Sequence, residues 1–376
     1  MKKVSRMKHG VEERAVVAVG LDVGDRWSHW CALSCDGEVA GRGRVASTAE
    51  ALAAQAKGWT GVRVALENGT HSGWMSRVLE ASGCAVVVAN PSRWRGTAHN
   101  AKNDRNDAEA LARTVRVDPR LLFPLQHRSE RSQQDLAVIR VRAQLVKTRT
   151  LLVNTARGTV KSLGHRLPSG SADYFVSTTW KHVPSALRPA LAPLYKTLRE
   201  ITLQIAELDR RIVELSTQRY PETHRLTSVP GVGKLTALTY MLTLGGKDRF
   251  ASSREAGAYL GLRPKQRQSG ERDPELGIAK NGDSYLRSLL VECAHYVLSR
   301  GPDSALKRWG LGLSTGGTRA RKRALVAVAR KLAVLLHRLW TTGEDFRAFP
   351  NPQPLEETVD AEGRAHRSLQ PAATAA

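Results

Sequence analysis

The chain has 376 residues, 41% of them hydrophobic, and carries a formal net charge of +23. That length supports two or three domains with real cores, and a charge excess of this size suits polyanionic partners, either nucleic acid or an acidic membrane surface. No stretch approaches the ~20 apolar residues of a membrane span, and the basic start MKKVSRMKHGVEER lacks the apolar run of a signal peptide, so a cytoplasmic protein is expected. Four cysteines (Cys31, Cys35, Cys84, Cys293) are too few and too scattered for a disulfide framework or a zinc site and read as small buried thiols.

In chain order, AVVAVGLDV (15–23) is an apolar run suited to a buried strand, and SHWCALSC (28–35) gives a second. A third strand is expected around Val45, then an alanine-rich helix from Thr48 to Lys57. The runs VRVALE (62–67) and CAVVVAN (84–90) predict two more strands, separated by a helix near Trp74 to Ser82, and a further helix spans Asp104 to Val117. Strands first, then βαβ alternation, imply an α/β sheet.

The middle of the chain changes period. Leu136, Ile139, Ala143, Val146, Thr150 and Val153 step by threes and fours, as do Leu194, Leu198, Ile201, Ile205, Leu208, Ile212 and Leu215. Such heptad seams predict long helices packed as a coiled coil, within one chain or between chains, with 164–193 as the turn region. From Thr223 to Phe346 the pattern is helical with glycine-rich interruptions. Residues 1–14 read as a basic tail, 15–127 as the α/β domain, 128–222 as the coiled-coil region, 223–346 as a mainly α domain, and 347–376 as a disordered tail.

Four acids stand out. Asp22 ends the first strand in GLDVG, Glu67 ends another in ALENG, and Asp104 and Asp107 sit three residues apart on one face of the helix that begins in AKNDRNDAEALA. Singly, each is explained as a turn residue or a helix-start acid that suits the dipole. Together, four carboxylates repel one another unless cations neutralise them. Two Mg²⁺ ions about 4 Å apart do so and can clamp the attacking and leaving oxygens of a phosphodiester. An actin-like ATPase also places Asp and Gly after its first strand, but no second phosphate loop follows.

Further on, LTSVPGVGKLTA (226–237) has the form of a helix-hairpin-helix. Gly231, Gly233 and Lys234 would offer backbone N–H groups and charge to a phosphate without reading base sequence, and a plain helix-turn-helix corner is the alternative. It is not a Walker A loop, because Leu235 follows Lys234. In GLRPKQRQSGERDPELGIAKNG, Ser269 precedes Gly270 among Arg263, Lys265, Arg267, Arg272 and Lys280. Those cations could bind nucleic acid and offset phosphate charge, leaving the hydroxyl as a nucleophile, although Ser-Gly in a loop is ordinarily a turn.

With these motifs in hand, the chain resembles the DEDD transposases of bacterial insertion sequences, insertion-sequence family one-hundred-ten. The resemblance runs from about 15 to 345. It rests on GLDVG, the ALENG acid, the KNDRNDA pair, VPGVG, and the segment carrying Ser269, Lys280, Gly282, Leu286 and Arg287. The family pattern has an aromatic shortly after the second acid; this chain departs from it, reading ENGTHSGW, with Trp74 as the substitute.

The resemblance implies a ribonuclease-H-like, Holliday-junction-resolvase-like N-terminal domain in which Asp22, Glu67, Asp104 and Asp107 hold Mg²⁺, two ions in the reading above. It implies a C-terminal domain whose Ser269 attacks DNA to give a covalent phosphoserine. It further implies donor and target DNA and a structured guide RNA as partners, a homodimer or tetramer, no membrane, and association with the nucleoid when DNA is bound.

Two other classes compete. A structure-selective, junction-resolvase-like nuclease would activate water with the same carboxylates, and a non-catalytic scaffold would use only the charge and the coiled coil. Among the remaining residues, Arg319, Arg321, Lys322 and Arg323 read equally as a solvated helix start or a phosphate contact. His295 reads as a helix-face residue and His71 stays open. The eight tryptophans read as core packing before base stacking.

Overall fold

The computed structural model describes residues 15–94, 104–265 and 276–350, with the backbone of one two-residue antiparallel pair, Thr358–Val359 with Ala365–His366. The chain divides into two compact units, Met1–Glu130 and Arg131–Ala376. The first is a mixed α/β sheet and the second is mainly helical, as the composition of the runs predicts.

In the first unit, strands β1 (Val16–Asp22), β2 (Trp27–Ser34) and β3 (Val39–Ala46) are joined by short loops and pair antiparallel. Helices α1 (Ala49–Ala56) and α2 (Ser72–Ala81) provide the longer connections that let β4 (Arg63–Glu67) and β5 (Ala85–Ala89) join in parallel. The hydrogen-bonded order is β3-β2-β1-β4-β5. β1 is therefore central and covered on both faces, which is why its sequence is apolar at almost every position instead of alternating.

One face of the sheet presents Val19, Leu21, Val64 and Leu66 to Leu52, Met75 and Leu79 of α1 and α2. The opposite face presents Ala18, Ala65 and Ala89 to Leu111 and Val115, and Cys31 and Leu33 to Ala108 and Ala112, all four from α3 (Asp104–Val117). Small residues on this face let α3 lie close. At Gly20 a Cβ would sit 1.9 Å from the Ala108 carbonyl oxygen. Cys31, Cys84 and Cys293 are buried as expected, but Cys35 is exposed, because it falls just past β2 where the chain turns at Gly37.

The second unit opens with α4 (Glu130–Ser162) and, after the short α5 (Phe175–Thr179), α6 (Arg188–Glu214). Val153 and Val160 cluster with Leu191 and Leu198, whereas Leu136 and Ile139 cluster with Ile212 and Leu215. The two helices thus pack antiparallel within one chain. The α6 seam is buried or half-buried throughout. Along α4, however, Thr150 faces solvent and Arg149 takes the buried place, its guanidinium 2.5 Å from Asp173. Pro193, expected in the turn, lies inside α6. Burial of Leu191 and Tyr195 against Phe175 and Val183 outweighs the backbone hydrogen bond that the proline forfeits.

Beyond α6, helices α7 (Thr223–Thr227), α8 (Lys234–Leu244), α9 (Ser253–Tyr259), α10 (Ser284–Ser299), α11 (Ala305–Gly312) and α12 (Thr318–Thr342) complete the unit. Leu226, Tyr240, Leu260, Leu290, Leu332 and Leu336 lie in its core. Within 347–350, Ala348 accepts a hydrogen bond from the Ala305 amide and Arg308 stacks on Phe349; beyond the 358–359 and 365–366 pair, the rest of the expected tail lies outside the described residues. Among the described residues no helix is long and apolar enough to cross a membrane.

Candidate active site

Alternation along the strands decides which side chains share a face. Ala18 and Gly20 face α3, so Asp22 does too. Ala65 faces α3, so Glu67 does as well. The last paired residues of these parallel neighbours are Leu21 and Leu66, which places the two acids side by side at the carboxyl ends of β1 and β4. Ligands of open α/β sheets bind in the crevice at such ends.

Helix α3 contributes the second pair. Ala108, Leu111, Ala112 and Val115 form its sheet-facing stripe. Asp104 lies one turn before Ala108 and Asp107 one turn before Leu111, so both acids prolong that stripe. At the helix N-terminus the positive end of the dipole favours carboxylates.

His29 stands between the two pairs, inside a strand run that carries no motif. It lies directly across from Asp22 in the β1–β2 ladder, and its Nδ1 stands 3.5 Å from Asp104 Oδ2 without a hydrogen bond. Its signal was available: His29, Cys31 and Leu33 alternate onto the α3 face. Cys31 beside it is not a ligand candidate. Burial pushes its thiol pKa up, against the opposing pull of Arg42, and keeps it protonated.

The connection after Asp22 is tied down. Ser47 donates its amide to the Arg26 carbonyl (3.0 Å) and its hydroxyl to the Gly24 carbonyl (2.8 Å). His71 accepts at Nδ1 from Trp74 Nε1 (3.1 Å) and turns Nε2 toward Asp25 (3.4 Å) of the same loop.

The donor chemistry suits a hard divalent cation, since Asp22, Glu67, Asp104 and Asp107 offer only oxygens. Among the described residues no three His, Cys, Asp or Glu side chains are gathered at metal-ligand spacing. Asp104 is 71% exposed at its side chain.

In the second unit, the described residues on either side of the serine segment form a narrow neck. Lys265 N–H donates to the Gly277 carbonyl and Ala279 N–H to the Arg263 carbonyl, each at 2.9 Å, and Pro264 pairs antiparallel with Ile278. Glycines interlock below: a Cβ on Gly261 would meet the Asn281 carbonyl oxygen at 2.0 Å, and one on Gly282 the Tyr259 carbonyl oxygen at 2.2 Å. Arg287 donates to the carbonyls of Leu260 (3.1 Å) and Asn281 (2.7 Å), and Leu286 is fully buried in the core. Asp283 caps α10 by accepting from the Leu286 amide and also pairs with Arg140 of α4. Ser269, Arg267 and Arg272 lie outside the described residues.

Of the other nucleic-acid candidates, Arg263, Lys265 and Lys280 are exposed around the neck. Gly231, Gly233 and Lys234 are exposed where the chain turns from α7 into α8. Gly231 has φ +89 and leaves no room for a Cβ, which would meet the Tyr296 ring at 2.6 Å. The N-cap of α8 is Gly233, which has no side chain to accept from the helix's first N–H groups. Arg319, Arg321, Lys322 and Arg323 are exposed at the start of α12, and His295 is exposed on α10.

Residues 223–309 match the family model described as Transposase IS116/IS110/IS902 family, and residues 19–164 match a DEDD model described as Transposase. The chain is 29% identical over 280 residues to the transposase for insertion sequence element IS1111A of Coxiella burnetii, covering 72% of this chain and 75% of the other. It is 32% identical over 242 residues to the transposase for insertion sequence element IS1328 of Yersinia enterocolitica, covering 63% and 71%. A probable family 20 transposase of Pseudomonas aeruginosa is 29% identical over 284 residues, covering 73% and 82%.

Proposed function

This chain belongs to the IS116/IS110/IS902 family of insertion-sequence transposases and is a DNA transposase, and from that premise we propose that it cuts and rejoins DNA strands by attack of Ser269 on a phosphodiester, with Asp22, Glu67, Asp104 and Asp107 holding Mg²⁺. The observation that carries the proposal is the shared face: Asp22 and Glu67 end adjacent parallel strands on the side that α3 covers, and Asp104 and Asp107 extend α3's sheet-facing stripe past those ends.

Bound there, Mg²⁺ supplies charge to offset that developing on the phosphate oxygens. In the covalent step the Ser269 Oγ–P bond forms while a P–O bond to a deoxyribose breaks. The hydroxyl proton passes to a base, and the departing deoxyribose oxygen leaves as a hydroxyl. Attack by a deoxyribose hydroxyl of the exchange strand reverses the step and frees the serine.

The remaining parts fit this reading. The N-terminal sheet, with its second strand antiparallel beside a central first strand, supports a ribonuclease-H-like domain. The start of α8, with Gly231 before it and Gly233 at its N-cap, supports a helix-hairpin-helix phosphate contact. The α4–α6 pair closes its seams within one chain but leaves Leu151 and Leu203 exposed, which supports a helical assembly element for a dimer or tetramer. The net charge of +23 supports simultaneous engagement of donor DNA, target DNA and a structured guide RNA.

The deciding experiment traps the intermediate. The protein is expressed with its flanking DNA, denatured rapidly, and the protein–DNA adduct mapped by peptide mass spectrometry, with Ser269→Ala in parallel. An adduct on Ser269 that the variant lacks is expected. Nicked DNA with no adduct overturns the serine mechanism in favour of a water-activating nuclease.

A further inference from the structure

Resting on the carboxylate reading above, we propose that Trp27 and Arg44 form a stacking platform for an unpaired nucleobase beside those carboxylates. Trp27 departs from the core-packing expectation for tryptophans: 47% of it is exposed, whereas Trp59 and Trp340 are buried. An isolated exposed apolar side chain is ordinary, so its place is what matters.

On β2, Trp27 shares a face with His29, Cys31 and Leu33, the face that α3 covers. His29 is paired with Asp22 on one side and with Arg44 of β3 on the other. The indole is therefore two residues along β2 from the partner of Asp22, about 7 Å at strand spacing. It stands on the carboxylate face just outside the acids.

Arg44 completes the platform. Its guanidinium carbon lies 4.6 Å from the indole centroid, and among the described residues no carboxylate pairs with it. Arginine stacks flat on aromatic rings and carries charge for a phosphate, a combination that suits a nucleotide.

The backbone under the platform is rigid. Besides its bonds to the 24–26 loop, Ser47 shares a 2.9 Å hydroxyl contact with Ser28. A Cβ on Gly24 would meet the Trp27 carbonyl oxygen at 2.1 Å, so this turn has one tight path. Such preorganisation lowers the ordering cost of binding.

The chemistry selects an unpaired base. Every base offers a π-face, so stacking tolerates any sequence, while bases inside a duplex are already stacked on each other. A base held on Trp27 fixes the phosphate beside it relative to Asp22 and Glu67, which makes Trp27 a positioning residue.

Fluorescence anisotropy with the full chain tests this, using short oligothymidylate, short oligouridylate and a duplex of equal length. Trp27→Ala weakens single-strand binding about tenfold and leaves duplex binding within about twofold, Trp27→Phe recovers most of the loss, and Arg44→Ala loses less. Trp27→Leu keeps the apolar bulk without the flat ring and matches Trp27→Ala, which separates stacking from packing. A loss confined to oligothymidylate assigns the platform to DNA, one confined to oligouridylate assigns it to RNA, and a loss on both assigns it to either.

Wild-type single-strand affinity in Trp27→Ala and Trp27→Leu overturns the proposal. So does a change in molar mass by light scattering without a change in affinity, which makes Trp27 a subunit contact. Neither result touches the carboxylate reading, which fails separately if Asp22→Ala retains strand transfer.

Discussion

Gly20 and Ala108 stand so close that a Cβ on the glycine would lie 1.9 Å from the alanine carbonyl oxygen and 2.5 Å from the Ala112 amide nitrogen. These obstacles are helix backbone, which cannot rotate aside. Gly20 thereby sets the height of α3 above β1, and with it the placement of Asp104 and Asp107 relative to Asp22. Gly20→Ala must push the helix outward. It is expected to cost about 3 kcal/mol in urea denaturation and to abolish strand exchange, as overpacking against an unyielding neighbour does. A variant with wild-type stability and activity removes Gly20 from this role.

The acids were legible because each ends or begins an element whose period is plain: Asp22 and Glu67 close apolar strand runs, and Asp104 and Asp107 open an amphipathic helix. Their common face followed only from knowing which strand faces α3. His29 and Trp27 were hidden inside an ordinary strand run, since alternation fixes that two residues share a face but not what covers it. Arg149 displaced Thr150 from the α4 seam because Asp173, distant in sequence, supplies its partner. The pairing of Pro264 with Ile278 was equally invisible, since it depends on chain closure and not on local periodicity.

Arg287 ties both sides of the neck by donating to the carbonyls of Leu260 and Asn281, and burial lowers its pKa from the ordinary value. A lysine keeps the charge but replaces the planar fork with a single ammonium. Arg287→Lys is expected to lose about 1–2 kcal/mol of stability. It should also lower strand exchange by more than tenfold while duplex binding, measured by anisotropy, stays within about twofold. Equal loss of binding and exchange would show that the neck serves binding alone.

His337 predicts a pH dependence. Its Nε2 lies 3.0 Å from the Lys247 carbonyl, which can only accept, so that nitrogen carries the proton, and Nδ1 accepts from the Ser253 hydroxyl at 3.0 Å. Burial beside Phe250 and Trp340 lowers its pKa from 6.5, against the opposing effects of the Lys247 carbonyl and Asp248. The folded chain therefore refuses a proton that the unfolded chain accepts. The contribution of neutral His337 is fully present above pH 6.5 and is lost as pH falls from there through the folded-state value. Urea midpoints at pH 7.5 and 5.5 should differ less in His337→Gln than in the wild type. An unchanged difference assigns the pH dependence elsewhere.

Asp104 offers the sharpest separation of chemistry from folding. Its side chain is 71% exposed, and its contact with His29 at 3.5 Å is not a hydrogen bond. A surface pair of this kind contributes about 0–1 kcal/mol, and the dipole effect at a helix start is of similar size. Asp104→Asn should therefore melt within a few degrees of the wild type while losing Mg²⁺ binding by calorimetry and strand exchange together. Loss of exchange with Mg²⁺ binding intact would give Asp104 a role toward His29 or the DNA instead of the metal. Retention of both would leave Asp104 a helix-start acid and transfer the metal to Asp22, Glu67 and Asp107.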